Sequence, residues 1–290
     1  MKNNHIRAVI FLVLASILWS TGGILIKLVD WNPVAIAGTR SGISALVMML
    51  YMRKTKVTLT KQKTIGASCY ASTVILFVIA NKMTTAANTI LLQYTAPVWV
   101  ALMAGWILKE KTKVRDWVTI ACVMSGMVLF FLGDLETGQM LGNGIAVLSG
   151  VALAATVVAL RLQKDSSPVE MTYVGNIITF IVSIPFILKS VPDMNSIIGI
   201  VLLGIFQLGI SYILFAEAIK HVNALEAILI PVIEPLLNPV WVFMFAGEAP
   251  GTLAIIGGII VVSAVVGRGV YTNYTDRQRV KNKPVSQTVH

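Results

Sequence analysis

Glu234 stands about ten residues into an apolar stretch, 224–246, and a carboxyl at that depth carries the most chemistry in the chain. At a rise of about 1.5 Å per residue it falls near the midplane of a bilayer. An ionisable group there costs about 2.5–3.5 kcal/mol or more to insert, so such groups mark pathways by default. Burial alone would hold it as the neutral acid, and a neighbouring cation would hold it as the carboxylate. The first state suits a proton-coupling acid, the second a counter-ion for an ammonium group. A structural hydrogen bond or ion pair between helices is the plainer use of the same residue. Arg40, about seven residues into the stretch 33–52, is the only arginine well inside an apolar segment. It can snorkel outward, pair with an acid such as Glu234, or grip a substrate carboxylate with two parallel N–H bonds. If both residues face one cavity, a zwitterionic amino acid satisfies both.

The neighbours of Glu234 add a backbone argument. Pro231, Pro235 and Pro239 recur at i, i+4 and i+8, and each removes one helical hydrogen bond. The carbonyls of Ala227, Pro231 and Pro235 thereby lose their usual donors. Backbone of that kind is tolerated at membrane depth only against protein or a wet cavity. Asn238 follows Glu234 by one turn and Trp241 comes a turn later. Elsewhere Gln207 and Tyr212, Gln93 and Tyr94, Trp19, and Asn176 beside Tyr173 place amides and aromatics within apolar stretches. Each alone reads as glue between helices. Together they make the kind of lining a small-metabolite pocket needs. An intramembrane enzyme would need clustered nucleophile, base or metal ligands. His5, His221 and His290 instead sit at ends or loops, and no nucleotide-binding Gly-rich loop occurs. No catalytic residue, metal or cofactor is expected. Cys69 and Cys122 read as small packing residues.

These side chains are positioned by segments long enough to cross a bilayer, which takes roughly 20 apolar residues as a helix. Ten windows qualify or nearly so, at 8–28, 33–52, 64–81, 86–108, 115–132, 142–161, 169–188, 196–219, 224–246 and 252–270. The composition agrees: 56% hydrophobic and 12% charged, against about 25% charged in a soluble domain. The first window, preceded by Lys2 and Arg7, is too long for a cleaved signal and reads as a retained helix. The net charge of +10 could suggest nucleic acid, but the basic residues lie in short loops and the tail rather than in a stripe, which excludes that partner. All but Lys27, Arg40, Lys82 and Lys189 of the 23 Lys plus Arg fall on one side when loops are read alternately. Positive charge stays inside, so both termini are expected in the cytoplasm, in a multi-pass protein of a bacterial cytoplasmic membrane.

The chain also repeats. Shifted by 138, residues 80–110 overlie 218–248 with seven identities, among them Lys82/Lys220, Pro97/Pro235 and Glu110/Glu248. The fold expected is all-α, with ten transmembrane helices as two five-helix repeats, 1–138 and 139–270, followed by a basic, disordered cytoplasmic tail at 271–290. Five is odd, so the second repeat enters the membrane inverted, a plan recurrent in secondary transporters with the substrate site near midplane. Pro97, Pro231, Pro235 and Pro239 are the hinge candidates. Gly257, Gly258, Ser263 and Gly267 read as close packing or a dimer face.

The stretch from Ala80 to Glu110, A-N-K-M-T-T-A-A-N-T-I-L-L-Q-Y-T-A-P-V-W-V-A-L-M-A-G-W-I-L-K-E, resembles the helix-three-to-helix-four segment of EamA-type proteins of the drug/metabolite transporter superfamily. So does its second copy, ending P-L-L-N-P-V-W-V-F-M-F-A-G-E. The resemblance implies a ten-helix carrier with a central cavity that exports amino acids or related metabolites. It carries over Pro97, Pro235, Glu110 and Glu248 as structural positions. The expected function is thus a secondary transporter of small polar metabolites, an exporter working by alternating access, with proton coupling possible at Glu234. The alternatives are a channel, a non-transporting membrane partner or, last, an intramembrane enzyme.

Overall fold

The computed structural model describes residues 2–53, 57–132, 138–237 and 251–281, without side-chain detail for residue 2 and for 273–281. Among the described residues, nine helices are long and apolar enough to cross a membrane: Asn3–Leu28, Pro33–Met52, Lys61–Met83, Ala86–Leu108, Val114–Phe131, Met140–Leu162, Pro168–Ile187, Met194–Ala218 and Thr252–Thr272. They correspond to spans one to eight and ten of the sequence. The ninth is described over residues 224–237, as Ala224–Leu229, a 3₁₀ turn at Ile230–Val232 and helical residues 233–237. The protein is an all-α, polytopic membrane protein.

Local chemistry sets the helix starts. The Asn32 side chain accepts from the backbone N–H of Val34 and Ala35, with Pro33 opening the second span. Thr60 caps the third span through Lys63 N. Thr85 caps the fourth through Asn88 N, and Asn223 caps the ninth through Glu226 N. Thr85 and Asn223 are themselves 138 residues apart, so the repeat places a capping oxygen at the same point twice.

Three spans are interrupted within the membrane, and a fourth changes its winding. The first breaks between Trp19 and Gly22. The fourth breaks at Tyr94–Thr95, where Pro97 withholds the N–H that Gln93 O would use, so Pro97 opens the second half-helix rather than lying mid-helix. The ninth tightens to 3₁₀ around Pro231. The eighth widens to a π-helical stretch over Leu203–Ile210, an arrangement frequent at functional sites. All four irregularities surround one central region.

The first span packs on the eighth and ninth, the third on the sixth and seventh, the second on the seventh and eighth, and the fourth on the sixth and ninth. The fifth and tenth pack mainly on each other. Exchanging each span with the one five places along maps this set of neighbours onto itself. The fifth and tenth meet where Gly257 lies against the Gly126 carbonyl with no room for a Cβ. Only 11% of the tenth span's apolar window is covered by protein, so that pair lies at the rim. Its helix runs on to Lys281, into the segment 271–281 where the sequence predicts a disordered tail. Extending an existing helix costs far less than starting one, so polar residues follow the span outward as helix.

Candidate functional site

The interrupted spans converge on a cavity lined by Trp19, Arg40, Gln93, Tyr94, Gln207, Tyr212, Pro231 and Glu234, with an apolar wall that includes Val74, Phe77, Leu153 and Phe215. Between these side chains about 50 Å³ admits the centre of a water molecule. A buried water needs about 10–15 Å³ measured that way, so this form holds a few waters and is too contracted for a metabolite.

Arg40 forms the cationic end. Its side chain is 1% exposed, and Nη1 donates to Gln207 Oε1 at 3.0 Å. The π-helical stretch delivers Gln207 to that contact. Gly22 permits it from the other side, because a Cβ there would stand 2.7 Å from Gln207 Nε2. Of the uses the sequence allows for Arg40, pairing with Glu234 is not made, and no ion pair to Arg40 occurs among the described residues. Its Nε and the Trp19 indole N–H are both buried without a partner. Buried donors are rarely left unsatisfied, so these two stand out in the wall.

Glu234 forms the acidic end. Its Oε2 lies 2.8 Å from Tyr94 Oη, and that hydroxyl also donates to Pro231 O at 2.7 Å. Tyr212 stands within electrostatic reach of both Arg40 and Glu234. Its ring packs on Trp19 at 5.0 Å and edge-on against Tyr70 at 4.8 Å, giving an aromatic partition between the two charges.

The structure therefore gathers Glu234, Arg40, Gln207, Tyr94, Gln93, Trp19, Tyr212 and Pro231 from five spans into one place. Gln93 donates to Ser149 Oγ at 3.2 Å. Asn176 does not reach the cavity: it donates to Thr172 O at 3.0 Å and accepts from Tyr70 at 3.2 Å, so it braces Tyr70 from the seventh span. Pro97 and Pro235 are buried beside the breaks they cause. Asn238, Trp241, Pro239 and Glu248 lie outside the described residues. Sequence reasoning missed Tyr70 and the wall of Thr73, Val74, Phe77, Leu153 and Phe215. Tyr70 had a signal, a polar aromatic deep in a span. The apolar wall had none, because cavity-facing and lipid-facing apolar residues look alike.

On the face where the chain begins, charge ties the spans together. Lys63 of the third span and Glu170 of the seventh form a buried ion pair that Thr58 also joins. Arg161 holds Glu110 at 2.9 Å, and Glu110 also accepts from Ala224 N, at the start of the ninth helix, at 3.0 Å. The acid at the end of the repeat motif therefore anchors another span. His5 meets Glu226 at 2.9 Å, and Lys220 pairs with Glu217 at 2.8 Å. At the opposite face, among the described residues, the hydrogen bonds between spans run to hydroxyl, amide and backbone oxygens: Asp30 N donates to Ser196 Oγ at 3.0 Å, Lys82 donates to Val29 O at 2.6 Å, and Asn88 and Thr84 donate to Asn143 Oδ1.

A bundle of interrupted helices around a central cavity, with an acid and an arginine inside it that form no ion pair among the described residues, is the architecture of a membrane transporter. Residues 6–132 and 140–268 each match the EamA-like transporter family, and the chain belongs to that family. It is 26% identical over 266 residues to YdfC of Bacillus subtilis, an uncharacterised transporter, covering 86% of each chain. It is 25% identical over 268 residues to CntI of Pseudomonas aeruginosa, named a pseudopaline exporter, covering 89% of this chain and 94% of the relative. A solved crystal structure at 16% identity superposes with a TM-score of 0.78 over 92% of this chain and 98% of the other, which establishes the shared fold.

Proposed function

We propose that this transporter is a secondary carrier of small polar metabolites, amino acids or related compounds, which it exports by alternating access with proton coupling through Glu234. The observation that carries the proposal is the pair Arg40 and Glu234, set at two ends of one cavity and not neutralising each other. A zwitterion supplies what each lacks. Its carboxylate accepts from Arg40 Nε and Trp19 Nε1, and its ammonium faces Glu234. The side chain then lies along Val74, Phe77, Leu153 and Phe215. Two half-molecules, 1–138 and 139–270, act as inverted units that rock about the cavity, with both termini in the cytoplasm. The twofold family match and the exchange of packing partners between halves support that division. The exporter name borne by one relative supports the direction.

The test is counterflow in proteoliposomes against a panel of labelled amino acids and amines. A carrier accelerates uptake when the same solute waits on the far side; a channel does not. Glu234→Gln should cut pH-driven uptake at least about tenfold, roughly the 1.4 kcal/mol that separates decades of rate, while the purified protein stays folded. An unchanged rate and pH profile in that variant would remove Glu234 from the mechanism.

A further inference from the structure

The contact between Tyr94, Pro231 and Glu234 contains one hydroxyl proton and two oxygens that both need it. A phenol donates a single hydrogen bond and can also accept. Tyr94 Oη stands 2.7 Å from Pro231 O and 2.8 Å from Glu234 Oε2. The Pro231 carbonyl depends on this donor for a sequence reason. Its helical partner would be the N–H of residue 235, which is proline. The backbone compensates only by tightening, with Ile233 N turned toward Ile230 O and Pro231 O.

The two protonation states of Glu234 therefore require different bonding. When Glu234 carries a proton, its O–H donates to Tyr94 Oη and the phenol donates to Pro231 O, so every group in the chain is satisfied. When Glu234 is ionised, the carboxylate draws the phenolic hydrogen, since hydrogen bonds to charged acceptors are about twice as strong. The Pro231 carbonyl then loses its donor. The phenol keeps its proton throughout and only turns; the proton gained or lost belongs to Glu234 and exchanges with cavity water.

We propose that Tyr94 is a positioning residue that transmits the protonation of Glu234 to the backbone break of the ninth span, donating to the Pro231 carbonyl when Glu234 is protonated and withdrawing that donor, to the carboxylate one turn on, when Glu234 is ionised. This rests on the proton-coupled reading above. Among the described residues, the ionisable groups that share the cavity with Glu234 are Tyr94 from the fourth span, Tyr212 from the eighth and Arg40 from the second. The first, third and sixth spans present Trp19, then Thr73, Val74 and Phe77, and Leu153 there, none of which titrates. The ionisable groups at the chain-start ends of these spans are engaged with one another: His5 with Glu226, Arg161 with Glu110 and Lys220 with Glu217.

Infrared spectroscopy of the full chain in lipid vesicles tests it without any solute. Protein labelled with ¹³C at the proline carbonyls is titrated from alkaline to acid pH. One prolyl carbonyl band should shift together with the appearance of a carboxylic-acid band, and Glu234→Gln should abolish both changes. In Tyr94→Phe the carboxylic-acid band should still titrate, which certifies a folded site, while the prolyl shift is lost. A prolyl shift that survives in Tyr94→Phe, or one that is absent from the unsubstituted protein, overturns the proposal. Failure of counterflow with this band pattern intact would count against the carrier reading alone.

Discussion

Arg40 is held by one amide, and that sets what its replacement should do. Gln207→Leu removes the partner of Nη1 and leaves a buried guanidinium unsatisfied, which costs about 1–3 kcal/mol or more. The loss should appear as a lowered thermal midpoint in detergent. Arg40→Lys keeps the charge but not the fork of donors that can hold Gln207 and a carboxylate at once. It should retain the fold and reduce counterflow by about tenfold, a difference near 1.4 kcal/mol. A lysine variant with native rates would mean that the guanidinium never touches solute. Both residues of this argument were legible in the sequence, because a charge within an apolar span has few uses. Tyr70 carried a signal that went unread, and the wall of Phe77 and Phe215 carried none. Phe77 and Phe215 became visible only when the packing of the third and eighth spans showed which faces look inward.

At the scale of elements, breaks in helices create the site. The fourth and ninth spans are repeat partners, and each is broken near a proline of the matched pair Pro97/Pro235. Pro235→Ala restores an N–H for the Pro231 carbonyl and should make the ninth span more regular. A proline inside a helix costs about 3 kcal/mol relative to alanine. The variant is therefore expected to melt higher while exchanging solute more slowly, a pairing measurable by thermal unfolding and counterflow on one preparation. Slower exchange without the gain in stability would point to lost packing instead. The prolines announced these breaks in the sequence. The π-helical turn that presents Gln207 gave no such notice: Leu203–Ile210 has the composition of any buried span. The second span packs against it, with Gly204 on Ile43, a contact that no local pattern records.

Across the whole molecule, neighbours exchange symmetrically between halves but charges do not. At the chain-start face the third span meets the seventh through Lys63 and Glu170, whereas at the opposite face the start of the eighth span meets the loop before the second through the Asp30 N–H and Ser196 Oγ. Opening the two faces therefore breaks bonds of different strength. Glu170→Gln leaves Lys63 unpaired in a buried position, where losing one partner costs about 3–5 kcal/mol. Ser196→Ala removes one neutral hydrogen bond, worth about 1 kcal/mol. The first should raise access of a membrane-impermeant thiol reagent to a cysteine placed at Ile228, when reagent is applied from the chain-start face, and the second should not.

The glycine-to-glycine seam between Gly126 and Gly257 has a mechanical corollary. If the carrier works by the alternating access proposed above, two rods welded that tightly at the perimeter, away from the central chamber, serve as a stator for the rest. A covalent staple fastening those two rods should leave turnover untouched, while one bridging the kinked pair around Tyr94 and Pro231 should stall it.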